Sequence, residues 1–331
     1  MAKLAERVHG EHAARALLTM FAEPADAETG HVLARVGGIE TLRLLESDEP
    51  VPGMDRVDLM HWRQRVGARL TPDALDRVFA EDTRGYGLLI PGDKDWPAGL
   101  DDLGDRAPYA LWARGATSLL RTALEDRVTI TGARAATAYG ERVAQELAIG
   151  VADTERVAVS GGAYGIDGAV HKTVLAAAGH TVAVMPSGLD RLYPTGHSDL
   201  LNRVADTGLL VSEMPPGSSP TKWRFMARSR LLAALSGATV IVEAGYRSGS
   251  LHVVTTAANL GRGVGAVPGP VTSTASAGTH RLLREGLAKI VTDEHDLTAL
   301  LTPTDRHAES NAGRQFGINR PLPQSNPSQS F

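Results

Sequence analysis

Small and cationic residues follow two short apolar runs in the middle of the chain. The first run ends in Thr131-Gly-Ala-Arg134, and the second ends in Ser160-Gly-Gly-Ala-Tyr-Gly-Ile-Asp167. Glycine lets backbone come close to a phosphate, and arginine adds a planar fork of donors. Because each segment leads into helix-like sequence, we expect backbone N–H groups to point at an anion, with Asp167 capping the second helix. The candidate phosphate ligands are Gly132, Arg134, Ser160, Gly161, Gly162 and Gly165.

Two later segments add candidates for the same kind of site. Gly188 and Arg191 follow the third apolar run, where they either contact an anion or belong to a turn in which Asp190 pairs with Arg191. A further anion-binding nest is predicted at a later helix start. Its residues are Ser248, Gly249 and Ser250. Glu243 precedes this nest and could serve as a general base, but no Ser–His–Asp order or second carboxylate accompanies it.

A basic and aromatic segment, Lys222 to Arg230, is the most informative stretch of the sequence. It holds four cations and two aromatic rings within nine residues. Such a mixture suits single-stranded nucleic acid, because cations follow the phosphates and rings stack on bases. The alternative is a solvated helix with Phe225 and Leu232 packed inward, and both descriptions can hold together. The candidate DNA ligands here are Lys222, Arg224, Phe225, Arg228 and Arg230, with Arg224 and Arg228 on one helix face.

Common enzyme signatures are missing from these loops. The chain has neither Gly-x-Gly-x-x-Gly followed by a ribose-binding acid nor Gly-x4-Gly-Lys-Ser/Thr, which disfavours a dinucleotide dehydrogenase and an NTP-driven motor. It contains no cysteine, which excludes thiol catalysis and thiolate zinc sites. His171, His252 and His280 lack the spacing of metal ligands. We therefore expect no cofactor, no metal and no catalytic residue.

Charge is distributed unevenly along the chain. The net charge of −4 argues against a strongly basic nucleic-acid binder. Residues 128–292, however, carry 15 Lys and Arg against 11 Asp and Glu, so the excess acid lies outside this segment. Chance scatter explains such a split equally well, and the split matters only because the basic residues also cluster.

Apolar runs and helical segments alternate from Val128 onward, which predicts the frame for these loops. The predicted strands are Val128–Thr131, Val157–Ser160, Thr181–Met185, Leu209–Ser212, Thr239–Glu243, Val264–Val267 and Ala288–Thr292. The predicted helices are Tyr139–Ala152, Gly168–Ala178, Ser198–Asp206, Arg224–Leu235, Leu251–Leu260 and Thr279–Glu285. Strands that are apolar without alternation are covered on both faces. The pattern predicts an extended, Rossmann-like, doubly wound α/β fold with a mostly parallel sheet. Gly179, Gly208, Gly237 and Gly261 follow four of these helices and are predicted left-handed helix ends.

The flanking sequence divides the chain into three predicted domains. Residues 1–80 form a small helical domain, in which Ala5–Met20 is predicted to be a helix and Pro72 favours a new helix start after Thr71. Residues 81–301 form the Rossmann-like domain with two early edge strands. Within the first, Val32–Leu45 forms two helices joined at Gly37-Gly38, which is either a helix-hairpin-helix that binds phosphate or a plain helical turn. Residues 302–331 are rich in Pro, Ser, Asn and Gln and are predicted to be a disordered tail. No leader sequence or membrane-length apolar run occurs, so we expect a cytoplasmic protein without membrane contact.

The order of these motifs resembles the DNA-processing protein A family, also called DprA or Smf, from Leu88 to Leu297. The motifs are Thr131-Gly-Ala-Arg, Ser160-Gly-Gly-Ala-Tyr-Gly-Ile-Asp, Gly188-Leu-Asp-Arg-Leu-Tyr-Pro, Ser212-Glu-Met-Pro-Pro-Gly, Phe225-x-x-Arg-x-Arg, Ser248-Gly-Ser and Val267-Pro-Gly. The resemblance implies a non-enzymatic protein that binds single-stranded DNA, protects it in natural transformation and recombination, and helps to load RecA. It also implies a homodimer. Arg134, Ser160, Gly161, Gly165, Arg228 and Arg230 match the family's binding motifs.

Some positions depart from the family pattern. Met226 stands where proline is usual, Ser229 where asparagine separates the two arginines, Thr195 where a basic residue is common, and His197 where asparagine is usual. The winged-helix domain of many members is not expected. Two alternatives stay open: an enzyme on free nucleotides, like the phosphoribohydrolases, and a nucleotide-sensing module that uses the same pocket without DNA. The Pro268-Gly-Pro sequence does not fit the phosphoribohydrolase loop.

Overall fold

The structure is a computed structural model that describes residues 4–70, 76 and 85–301. Three predictions lie outside the described residues: the helix after Thr71, the domain boundary at residue 80, and the disordered tail 302–331. Among the described residues, no helix combines the length and apolar sequence that a bilayer crossing requires.

Nine strands of the described chain form one sheet in the order β1-β2-β6-β5-β4-β3-β7-β8-β9. The strands are β1 Gly87–Leu89, β2 Leu111–Gly115, β3 Arg127–Thr131, β4 Val157–Ser160, β5 His180–Met185, β6 Leu209–Ser212, β7 Ala238–Ile241, β8 Gly263–Ala266 and β9 Lys289–Ile290. Strands β3 to β9 run parallel, while β1 and β2 add an antiparallel edge. The predicted mostly parallel sheet and its two edge strands are confirmed.

Helices cover both faces of this sheet. They are α5 Ala138–Asp153, α6 Ile166–Ala176, α7 Ser198–Thr207, α8 Lys222–Ala234, α9 Leu251–Asn259, α10 Ala277–Arg284 and α11 Glu294–Leu301. Helices α8, α9 and α10 pack on one apolar layer with Val157 and Val159, whereas α5, α6 and α11 pack on another with Ala158. Neighbouring residues of one strand therefore face opposite layers, which confirms the doubly wound architecture.

Within the described residues, four helices precede the sheet: α1 Leu4–Arg7, α2 Glu11–Phe21, α3 Ala27–Leu45 and α4 Arg56–Val66. Their core is continuous with the sheet domain, since it also contains Trp112, Met185 and Leu201. The prediction of one helix over Ala5–Met20 is wrong. Gly10, with φ of 94°, interrupts that run between α1 and α2.

The predicted break at Gly37-Gly38 is confirmed, because Gly37 has φ of 77° inside α3. Two hydrogen bonds of 2.8 and 2.9 Å join the Gly38 N–H to the carboxylate of Glu11. A helix-hairpin-helix would present this N–H to a phosphate, whereas here a carboxylate already accepts it. The geometry favours the plain helical turn.

Candidate nucleic-acid interface

A cleft of about 910 Å³ opens at the carboxyl ends of β3 and β7. Its walls are the β3–α5 loop, the helix α8 and the loop that leads into α9. Four cations line it, Arg134, Lys222, Arg228 and Arg247, together with the single carboxylate of Asp167. In open α/β sheets this edge is where ligands bind, and the excess of positive charge attracts an anion.

Phe225 organises the cationic wall of the cleft. The guanidinium of Arg134 lies 4.3 Å from the centre of its ring, and the guanidinium of Arg228 lies 5.4 Å from it. The Tyr193 ring meets Phe225 edge-on, with centres 5.6 Å apart. Phe225 is therefore half-buried and already carries a cation on its face. This contact holds the Arg134 side chain at the cleft. Arg134 is exposed and forms no ion pair with any residue the structure describes.

Arg228 lies at the bottom of the cleft and is buried. Its Nη1 donates to the carbonyls of Gly161, at 2.5 Å, and Val184, at 3.1 Å. Its Nε has no hydrogen-bond partner within the described parts of the chain. Burial lowers the pKa of Arg228, as does Arg134 to a smaller extent, while the nearby Asp167 opposes this. A Cβ on Gly161 would lie 2.6 Å from both terminal nitrogens, so only glycine leaves room for this guanidinium.

The predicted role of Asp167 as a helix cap is wrong. Its Oδ1 accepts a hydrogen bond of 2.7 Å from the Thr131 hydroxyl, and its Oδ2 accepts one of 3.2 Å from the Ala163 N–H. Asp167 thus ties the end of β3 to the loop after β4. It holds two walls of the cleft together and partly balances Arg228.

The glycine-rich loop after β4 shapes the cleft more than it lines it. Ser160 is fully buried and its hydroxyl donates to the carbonyl of Ile130 at 2.7 Å, so it is not presented to a ligand. Gly162 and Gly165 both have φ of 71°, and Gly161 is buried beneath Arg228. Of the first loop, Gly132 and Arg134 reach the cleft as expected from the sequence.

Helix α8 does not bring its four cations to one place. Lys222 is exposed at the cleft, and Arg228 lies below it. Arg224 instead makes two contacts of 3.1 Å with Glu23 of the N-terminal helices. Arg230 is buried in an ion pair with Glu213. The expected shared DNA-facing side for Arg224 and Arg228 is therefore not found.

The opposite wall of the cleft carries the predicted serine nest. Ser248, Gly249 and Ser250 line it, and the two serine hydroxyls lie 2.8 Å apart. Two neighbours that the sequence analysis did not propose, Tyr246 and Arg247, line the same wall. Their position in the sequence, directly before the predicted nest, is the feature that could have identified them as site residues.

Two other candidates lie away from the cleft. Gly188 is buried and its N–H donates to the carbonyl of Ser218 at 2.9 Å. Arg191 pairs with Asp190 at 3.7 Å, as one of the two alternatives held, and borders a separate hollow of about 670 Å³.

The use of Glu243 as a general base is not supported. Its carboxylate is buried and accepts bonds of 2.9 and 2.6 Å from the N–H and hydroxyl of Thr137, which begins α5. It does not line the cleft. The described residues also contain no group of His, Asp and Glu that could hold a metal ion.

A doubly wound sheet with a cationic cleft at its carboxyl edge defines a Rossmann-like protein. Within this class, the chain belongs to the DNA recombination-mediator protein A family, whose sequence profile matches residues 87–302. It is 44% identical over 293 residues to a putative DNA processing protein DprA of Mycobacterium tuberculosis, covering 85% of this chain and 73% of that one. It is 37% identical over 207 residues to DprA of Streptococcus pneumoniae, covering 62% and 71%. The resemblance read from the motifs is confirmed.

Two solved structures share the fold. The X-ray structure of DprA from Streptococcus pneumoniae superposes with a TM-score of 0.71 at 27% identity, covering 90% of this chain and 99% of that one. DprA from Helicobacter pylori, whose structure describes a single-stranded DNA binding mode, gives a TM-score of 0.59 at 32% identity, covering 65% and 95%. The relatives of this chain are DNA-processing proteins.

Proposed function

We propose that this protein binds single-stranded DNA in the cationic cleft and leaves it chemically unchanged. The observation that carries the proposal is the imbalance of charge in an open cleft, where four cations face one carboxylate. Glu243, the general base considered from the sequence, does not line the cleft and is bound to Thr137. The single-stranded DNA binding of the Helicobacter pylori relative supports the same ligand.

Three exposed cations are the proposed phosphate contacts: Arg134, Lys222 and Arg247. They act together with backbone groups of Gly132 and Gly249, while Arg228 adds positive charge from below. Of the other predicted ligands, Arg224 and Arg230 support the cleft through Glu23 and Glu213. Contacts to phosphates do not distinguish bases, so binding is tolerant of sequence.

The salt dependence of DNA binding reports the number of phosphate contacts. Each neutralised phosphate of a single strand contributes about −0.7 to the slope of log K against log salt, so three contacts give a slope of about −2. Anisotropy of labelled oligo-dT at several salt concentrations measures this slope. We expect Arg134→Ala to weaken binding to all sequences alike and to reduce the slope by about 0.7.

A matched control is Arg203→Ala on α7, an exposed arginine that lines neither the cleft nor its neighbouring hollows. Removal of this charge should leave the slope nearly unchanged. Absence of oligonucleotide binding by the unmodified protein at low salt would refute the proposal. Release of free base from a nucleoside monophosphate would favour the enzyme alternative, and thermal stabilisation by mononucleotides alone would favour a sensor.

The recombination role is proposed at the level of the family. We infer that the protein works in the cytoplasm as a homodimer, protects incoming single strands in DNA uptake, and assists the loading of RecA. The description of the family as recombination mediators supports this inference. Addition of the protein to single strands coated with single-strand binding protein should then speed RecA-dependent strand exchange. Sedimentation should give twice the chain mass.

A further inference from the structure

A second hollow, of about 360 Å³, opens next to the cleft and shares Arg134 with it. It lies between α5, the loop after β4 and the start of α6. The side chains that matter in its lining are Arg134, Glu141, Gln145, Tyr164, Lys172 and His197. Its volume is at the low end of that of small-molecule pockets, which suits one nucleotide and not several.

An exposed tyrosine is held in place within this hollow. The Tyr164 side chain is 47% exposed, although large aromatic groups are usually covered. Its ring meets the ring of His197 edge-on, with centres 4.7 Å apart and planes at 72°. His197 is itself buried, and its Nδ1 lies 3.2 Å from the Gly162 carbonyl. The His197 ring thus supports the tyrosine ring, which stays accessible.

Two glycines make room for this ring pair. A Cβ on Gly168 would lie 2.4 Å from Cε1 of His197, and a Cβ on Gly196 would lie 2.4 Å from the hydroxyl oxygen of Tyr164. Any other residue at these positions would displace one of the rings. The local backbone is therefore built around the pair, and Tyr164 is not an aromatic side chain left on the surface by chance.

The charges in the hollow give a ligand an orientation. Lys172 is exposed and pairs with no carboxylate among the residues the structure describes, and Arg134 stands at the border with the cleft. Glu141 lies on the lining as well and disfavours a phosphate near itself. These charges favour a phosphate on the side of the hollow that Arg134 and Lys172 line.

We propose that this hollow is a nucleotide subsite in which Tyr164 stacks on the base next to the phosphate bound by Arg134. This inference rests on the proposed binding of single-stranded DNA. It gives the strand a path, since DNA leaves the cleft past Arg134 and enters the space between α5 and α6. It also assigns Lys172 as a further phosphate contact.

The test compares oligo-dT of increasing length, over about 3 to 12 nucleotides, with the full chain and with Tyr164→Ala. Stacking on an aromatic ring changes affinity by roughly 5-fold to 150-fold per base. We expect Tyr164→Ala to bind the shortest oligonucleotides normally and to lose at least about 5-fold on longer ones. Tyr164→Phe, which keeps the ring, should retain the affinity of the unmodified protein.

An abasic residue moved along a fixed oligonucleotide then locates the contact. One position should weaken binding of the unmodified protein, and at that position Tyr164→Ala should show no further loss. Equal effects of Tyr164→Ala at every length, or none at any length, would overturn the subsite while leaving the cleft proposal intact. Failure of the unmodified protein to bind any oligonucleotide would overturn both.

Discussion

Arg230 offers a sharp distinction between a DNA ligand and a structural residue. Its motif implies contact with DNA, whereas the structure buries its guanidinium against Glu213. Both side chains are only 8% exposed, and the two terminal nitrogens bond to different carboxylate oxygens. The Nε also donates to the carbonyl of Arg106 at 2.7 Å. We predict that Arg230 contributes to folding and not directly to DNA binding.

The magnitude follows from leaving one charge buried without its partner. Removal of one member of a buried ion pair costs about 3–5 kcal/mol, whereas replacement of both by apolar residues is often neutral. Arg230→Met or Glu213→Leu alone should therefore lower the free energy of unfolding by about 3–5 kcal/mol. The double variant should lose only about 1 kcal/mol, because the carbonyl of Arg106 is left unpaired. It should therefore recover at least about 2 kcal/mol relative to either single variant.

Urea unfolding of the unmodified protein, the two single variants and the double variant measures these free energies at constant m-value. Binding of oligo-dT by the folded double variant then tests whether Arg230 contacts DNA. Binding close to that of the unmodified protein is the expected result. A double variant that is folded and stable but no longer binds DNA would refute the reasoning, since a structural role alone cannot explain it. Arg43→Met, which breaks an exposed cluster with Glu40 and Glu49, serves as the control and should have a small effect.

Two further predictions concern buried groups near the cleft. Burial lowers the pKa of His171 to about 3, below its ordinary value, so the unfolded chain binds a proton that the folded chain does not. Stability should consequently rise with pH from about 3 to 6.5, by about 2 kcal/mol between pH 5 and 6.5, and His171→Gln should remove this part of the slope in urea unfolding. Gly161→Ala places a methyl group 2.6 Å from the Arg228 nitrogens and from Asp167. It should cost about 1–3 kcal/mol in urea unfolding, and unchanged stability would show that the guanidinium can move aside freely.

The strands were predictable because each is an uninterrupted apolar run. Val157–Ser160 and Leu209–Ser212 have the predicted bounds, since Gly or charged residues flank strands that are covered on both faces. Helix ends were less predictable. Of the four glycines expected in the left-handed conformation only Gly261 adopts it, with φ of 72°, while Ala178 takes that role before Gly179. Gly208 is needed for close packing instead, because its Cβ would lie 2.4 Å from the Thr181 carbonyl.

The location of the site was also predictable, but the partners of its side chains were not. Carboxyl ends of parallel strands meet at one edge, so loops far apart in sequence, such as those at Gly132 and Ser248, had to converge. The hydrogen bond of Ser160 to Ile130 and the ion pair of Glu213 with Arg230 join residues that no local pattern connects. Tyr164 was missed as a site residue for a similar reason, because its support comes from the distant ring of His197.

Helical geometry explains why the basic segment divides its cations. Successive residues of an α-helix turn by about 100°, so Arg224 and Arg230 divide the circumference of α8 into an arc of about 120° and one of about 240°. Lys222, Phe225 and Ser229 fall within the wider arc and line the cleft. The two arginines at the sides of this arc instead meet carboxylates of neighbouring elements, Glu23 and Glu213. A basic helix that covers a cleft therefore uses its central cations for a ligand and its lateral cations for its own attachment, and a count of cations overestimates the phosphate contacts.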